Sequence, residues 1–77
     1  MNLHPKECKA AVQRLAPRQR EVLTLLADGL PRKLVADKLA ISENTVGAHC
    51  EAIYARLGVS SVAQAVVIAV KGGLRRV

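Results

Sequence analysis

The side chains with catalytic or metal-binding potential in this sequence are two cysteines and two histidines: Cys8, Cys50, His4 and His49. Their spacing matches no metal-ligand motif, and two cysteines do not build a disulfide framework. His49 has no paired acid with which it could act as a general base. No nucleophile–base pair and no glycine-rich phosphate loop is present. The sequence therefore predicts that the protein is not an enzyme and holds neither a metal nor a cofactor.

A second group of side chains has the chemistry of phosphate binding. Arg32 and Lys33 begin one predicted helix, Thr45 lies in the first turn of the next, and Arg56 lies near its end. Basic and hydroxyl side chains at such places are typical ligands of a nucleic-acid backbone. For Arg56 an alternative stays open, because an ion pair with Glu21 across the domain would remove it from DNA binding.

The helices that carry these side chains are separated by a very short break. Apolar spacing predicts a helix from Arg32 to Leu39, and a second one over residues 43–57 follows the N-cap Ser42 and ends at Gly58. The apolar positions of the second helix share one face: Val46, Cys50, Ile53 and Leu57. Only Ala40 and Ile41 precede the cap, so the two helices must fold across each other. This is the outline of a helix-turn-helix, whose second helix enters the major groove of DNA.

The rest of the chain also has helical patterns. Pro5 begins a short amphipathic helix that reaches about Arg14, and Pro17 begins another that ends at Gly29. Ser61 followed by Gln64 fits a capping box before a last helix over residues 62–71, which Gly72 and Gly73 stop. The sequence thus predicts an all-α fold with four core helices. Residues 1–14 are expected to form an N-terminal extension, and residues 15–77 the domain.

Length and charge place the chain in a class. It has 77 residues, 12 Lys and Arg against 6 Asp and Glu, and neither Phe nor Trp, so a single small domain with an aliphatic core is expected. The positive charge is concentrated at the two ends, since residues 31–57 carry four basic and three acidic side chains. No apolar run reaches the roughly 18–20 residues of a membrane span, and the N-terminus lacks the layout of a signal peptide. We therefore expect a cytoplasmic protein with an anionic partner.

The last helix is apolar on nearly every side, with Gln64 as its one polar residue before Lys71. Such a helix must be buried on more than one side. Either its own small domain covers it or a second subunit does. The size of the chain favours a two-fold homodimer through four valines: Val62, Val66, Val67 and Val70.

At this point two stretches resemble a known family. Residues 15–23 (LAPRQREVL) and 25–30 (LLADGL) are similar to the first helix of the LuxR-type (GerE/FixJ-type) DNA-binding domain. Further matching positions follow in register over about fifty-five residues: Lys33, Ala36, Leu39, Ile41, Ser42, Thr45, Val46, His49, Ile53, residues 57–59, Gln64 and Ala65. The resemblance implies a bacterial transcription factor with a four-helix domain, a third helix in the major groove and a fourth helix at the dimer contact. Sigma-factor region 4 is also similar through Glu21 and residues 42–46, but the Leu-Gly-Val join at residues 57–59 and the apolar last helix favour the LuxR type.

The chain departs from this family on the face that should contact bases. The family commonly has a basic or long polar residue at the place of Gly47, and often one at Glu51. Gly47 and Ala48 have no side chain that can hydrogen-bond a base, whereas Glu51 could accept from cytosine. The resemblance assigns Thr45 and His49 to the backbone. The predicted DNA-contacting set is Arg32, Lys33, Asn44, Thr45, Ala48, His49, Glu51 and Arg56.

Two functions remain open from the sequence. The first is a dimeric regulator that holds double-stranded DNA mainly by phosphate contacts. The second is a stand-alone protein-interaction module that pairs through its last helix with a full-length LuxR-type regulator and inhibits it. The complete helix-turn-helix pattern and the basic ends favour the first function. The small number of hydrogen-bonding side chains on the exposed face of the second helix favours the second.

Overall fold

The computed structural model describes residues 4–74, and this part of the chain is all-α. Its five helices are α1 (Pro5–Gln13), α2 (Pro17–Ala27), α3 (Arg32–Leu39), α4 (Glu43–Leu57) and α5 (Val62–Lys71). The bounds expected for α3, α4 and α5 are confirmed, and α1 ends one residue before the expected Arg14. No strand occurs in these described residues.

The helix ends are set by local hydrogen bonds. Ser42 accepts from the Thr45 amide at 3.0 Å, which confirms it as the N-cap of α4. Pro31 precedes α3 without a side-chain cap, as its chemistry requires. The capping box expected for α5 is only half formed: Ser61 accepts from the Gln64 amide, but the Gln64 side chain accepts from the Ser60 amide at 2.9 Å instead of the Ser61 amide. The Ser60 hydroxyl donates to the same Gln64 oxygen at 3.3 Å, so Ser60 offers this oxygen two donors.

The main core lies between α2, α3, α4 and α5. Its largest fully buried side chains include Leu23, Ile53, Val22, Val35 and Val46. Each aliphatic side chain of this size contributes about 1.5–3 kcal/mol when it is taken out of water. Because Val35 of α3 and Val46 of α4 are both fully buried in it, the core fixes the crossing of the helix-turn-helix.

A second, smaller cluster joins α1 to the rest. Cys8 and Val12 of α1 are buried against Ile68 of α5. The last helix is therefore covered on two sides by its own chain, because Ala65 and Ala69 lie in the main core. Val62 and Val67 of the same helix remain 42% and 44% exposed.

The five helices within residues 4–74 are short compared with a membrane span. No single helix there is long and apolar enough to cross a bilayer. Helices α4 and α5 meet the criterion of length and composition only as a pair, and their axes bend by 62° at the break between them.

Candidate nucleic-acid interface

The exposed face of α4 is fixed by the residues on its opposite side. Val46, Cys50 and Ile53 are at most 1% exposed and anchor the helix to the core. The residues opposite them are all exposed to solvent: Asn44, Ala48, Glu51 and Ala55. They recur at three- and four-residue spacing along more than two turns, so they form one continuous surface. We call these four residues the recognition face.

The beginning of α4 offers groups suited to a phosphate. The Ser42 and Thr45 hydroxyl oxygens lie 2.9 Å apart, and both residues are exposed. The first amides of a helix lack intrahelical partners, and the helix dipole gives this end partial positive charge. Thr45, for which a DNA-backbone contact is predicted, is exposed at this end of the helix.

The flank of α4 that continues from Thr45 carries His49 and Arg56. His49 is half-buried, and Arg56 is exposed. The Arg56 Nη1 atom donates to the Arg14 carbonyl oxygen at 3.0 Å, which ties the end of α4 to the end of α1. The ion pair considered between Arg56 and Glu21 is not formed, because Glu21 pairs with Arg18 at 2.9 Å on its own helix. Arg18 lies three residues before Glu21 on the same helix, so this pair forms without bringing distant parts of the chain together.

The opposite flank of α4 is occupied by a side chain from α3. A Cβ atom placed on Gly47 would lie 3.6 Å from Arg32 Nη1, so the guanidinium of Arg32 lies over the glycine. A side-chain hydrogen bond with Tyr54 is the largest cause that raises the pKa of Arg32 above its usual value, and electrostatic contributions from Cys50 and Glu51 act in the same direction. The end of the Arg32 side chain thus lies against Gly47 of α4, and both Arg32 and Lys33 are exposed.

This arrangement was not anticipated from the sequence. The sequence predicts a phosphate contact for Arg32 and no side-chain hydrogen bond from Gly47 to a base, and neither prediction places Arg32 against Gly47. A signal existed in the spacing, because Gly47 and Tyr54 are seven residues apart and therefore share the side of α4 that meets α3. Which side chain of α3 would reach that side depends on the crossing of the two helices, which no local pattern encodes.

Few side chains of the recognition face can form hydrogen bonds with bases. Asn44 could bond an adenine edge and Glu51 could accept from cytosine, while Ala48 offers a methyl group that fits against thymine. All three are exposed. Three members of the predicted set thus share this face, and the guanidinium of Arg32 lies at its margin over Gly47, whereas Thr45, His49 and Arg56 lie on the opposite flank.

A separate apolar surface lies on α5. Besides the exposed Val62 and Val67, the half-buried Val66 and Val70 belong to it. Val62 and Val66 also line a depression of about 330 Å³, whose other lining residues are Leu26, Gly29, Leu30, Pro31 and Arg32. The four valines predicted for a dimer contact therefore retain solvent-accessible surface in a single chain.

Comparison with known proteins gives one family. The family model described as bacterial regulatory proteins, luxR family, matches residues 13–69. The chain is 40% identical over 68 residues to the transcriptional activator protein ExaE of Pseudomonas putida, covering 88% of this chain and 32% of that protein. It is 39% identical over 56 residues to the nitrate/nitrite response regulator protein NarL of Escherichia coli K12, covering 73% and 26%. It is 36% identical over 67 residues to the transcriptional regulatory protein FixJ of Rhizobium meliloti, covering 87% and 33%. The chain thus spans a third or less of the length of these relatives.

Proposed function

This chain belongs to the luxR family and is a DNA-binding helix-turn-helix domain of a bacterial transcriptional regulator, and from that premise we propose that it binds duplex DNA as a homodimer, mainly through phosphate contacts. Helix α4 enters the major groove in this proposal. The domain comprises residues 15–77, and residues 1–14 are an extension, a division supported by the start of the family match at residue 13. Because its partner is DNA, the proposal places the protein in the cytoplasm.

The observation that carries this proposal is the orientation of α4. Its buried face is anchored by fully buried side chains, and its recognition face is exposed over its whole length. The face offers few groups for base recognition, whereas α3 and α4 carry side chains suited to phosphate: exposed Lys33, Thr45 and Arg56 and the half-buried His49. Phosphate contacts position a protein on DNA without reading its sequence. Affinity should therefore depend strongly on salt.

The dimer contact is proposed on α5. Val62 and Val67 are exposed apolar side chains on this helix, and a second copy related by a two-fold axis would cover them. A dimer would also present one α4 helix to each of two DNA half-sites, which matches the symmetry of palindromic DNA sites.

A titration of duplex DNA at several salt concentrations tests the phosphate contacts. We expect the logarithm of the binding constant to fall steeply with the logarithm of salt concentration. The Lys33→Ala variant should weaken binding to all sequences by the same factor and lower the magnitude of the slope by about 1. Lys38→Ala removes the same charge from the other end of α3, where the residue borders α2, and serves as the matched control. An unchanged slope for Lys33→Ala would contradict the proposal.

A second candidate function is inhibition of a full-length LuxR-type regulator through pairing of the last helices. It is favoured by the exposed valines of α5 together with the few hydrogen-bonding groups of the recognition face. If the folded chain binds no duplex even at low salt, this candidate replaces the first. Salt-dependent binding by the unmodified chain supports the first.

A further inference from the structure

The contact between Arg32 and Gly47 brings an arginine to the first half of α4, whose own arginine, Arg56, lies in the last turn of the helix. Arg32 Nη1 lies 3.6 Å from the place where a Cβ of Gly47 would be. That distance is an ordinary van der Waals contact, so an alanine would fit there, whereas a longer side chain would occupy the space of the guanidinium. The absence of a side chain at Gly47 therefore makes room for one that comes from α3.

A second side chain of α4 also acts on the guanidinium. Tyr54, two turns after Gly47, raises the pKa of Arg32 through side-chain hydrogen bonding, and the charge of Glu51 acts in the same direction. An arginine whose planar group is fixed before binding loses less conformational entropy when it contacts a ligand. Arg32 remains exposed, so its unused N–H groups are open to a ligand.

We propose that Arg32 is a base-reading residue, which presents its guanidinium to a guanine at the margin of the recognition face that Gly47 leaves without a side chain. The inference rests on the proposed entry of α4 into the major groove. A guanidinium matches the O6 and N7 acceptors of guanine with two parallel hydrogen bonds, which neither Ala48 nor Glu51 can form. In this assignment Tyr54 is a positioning residue, and Lys33 remains a phosphate contact.

Enrichment of duplexes from a random library, followed by titration of single base-pair variants, tests the assignment. We expect the unmodified chain to prefer G·C at one position by about 5- to 150-fold, the discrimination typical of one bidentate pair. Arg32→Ala should remove the preference at that position alone. Arg32→Lys should lose most of it, because a single ammonium cannot form the paired hydrogen bonds. Lys33→Ala should lower the affinity for every duplex by the same factor and keep the preference.

Three further variants test the position of the guanidinium without changing the formal charge of the protein. Gly47→Met should remove the same preference without altering any charge, because its side chain occupies the space of the guanidinium, while Gly47→Ala should keep it. Tyr54→Phe should reduce the preference in part, since the ring remains and only the hydroxyl is lost. Circular dichroism confirms that each variant is folded.

The outcomes distinguish failure of this inference from failure of the proposed function. If Arg32→Ala weakens all duplexes equally, or if the unmodified chain has no G·C preference at any position, Arg32 does not read a base, while salt-dependent binding still supports the proposed function. If the folded, unmodified chain binds no duplex at all, the proposed function itself fails.

Discussion

At the residue scale, the turn of the helix-turn-helix contains a position better suited to glycine. At four positions φ is positive, and the backbone amide of the next residue donates to the carbonyl oxygen five residues before it: Gly29, Ala40, Gly58 and Gly73. Ala40, with φ 57°, is the only non-glycine residue with positive φ in residues 4–74. The left-handed conformation costs an L-residue roughly 1–2 kcal/mol because Cβ approaches the following carbonyl oxygen. The chain tolerates this at Ala40 because Val35 and Val46, on the two helices that flank the turn, are buried in the core.

Ala40→Gly should therefore raise the free energy of unfolding. We expect a gain of about 0.5–1 kcal/mol, because relief of the strained φ exceeds the extra backbone entropy that glycine brings to the unfolded chain. Urea unfolding followed by circular dichroism measures it. Gly58→Ala is the reciprocal control: an added Cβ meets nothing within 4 Å there, so the φ of 70° alone should lower stability. A loss of stability in Ala40→Gly would contradict the argument.

At the scale of elements, α1 is attached to the domain by a close backbone approach. A Cβ on Gly72 would lie 2.9 Å from the Cys8 carbonyl oxygen and 3.0 Å from the Ile68 carbonyl oxygen. Gly72 has a φ of −81°, so its lack of a side chain serves the approach of α1 and not an unusual dihedral. The sequence indicated Gly72 only as a helix stop. The contact lets Cys8 and Val12 cover Ile68, which would otherwise be exposed.

Gly72→Ala should destabilise the protein by about 1–3 kcal/mol, the usual cost of forcing extra atoms into a packed contact. Gly47→Ala is the matched control, because the same added methyl group meets only the end of the flexible Arg32 side chain at 3.6 Å. That substitution should be neutral or stabilise by up to about 1 kcal/mol through the higher helix propensity of alanine. Thermal unfolding of both variants measures the difference. Equal stability of the two variants would mean that α1 shifts to accommodate the added methyl group without a change in the free energy of unfolding, which would contradict the prediction.

At the scale of the whole molecule, most of the large exposed apolar side chains are grouped on one helix. The three large apolar side chains that are exposed within residues 4–74 are Leu34 on α3 and Val62 and Val67 on α5. Two of them share α5 with the half-buried Val66 and Val70, whereas Leu34 stands alone on its helix. Single exposed apolar residues are ordinary, but a grouped set indicates an interface. This is why the dimer is proposed through α5.

Val67→Glu should convert a micromolar dimer into a folded monomer. Val67 is 44% exposed, so the glutamate can stay in water in the monomer, whereas a dimer would bury two like charges near its axis. Sedimentation equilibrium measures the change. Leu34→Glu introduces the same charge at a side chain that is 48% exposed and lies outside α5, so it should leave the dimer intact. A monomer for the unmodified chain at high concentration would refute the interface.

The sequence alone predicted the all-α fold, the bounds of α3, α4 and α5, and the face of α4 that is buried, because these depend on periodicity and capping within a few residues. Ser42 and Gly58 end α4 as expected. The family likewise followed from a pattern in register along the chain. The partners of long side chains were decided only by the tertiary structure: Arg56 bonds the Arg14 carbonyl, Arg32 lies over Gly47, and Gly72 meets α1. Such contacts depend on the angles and distances at which helices cross, and those are set by the packing of the whole core at once.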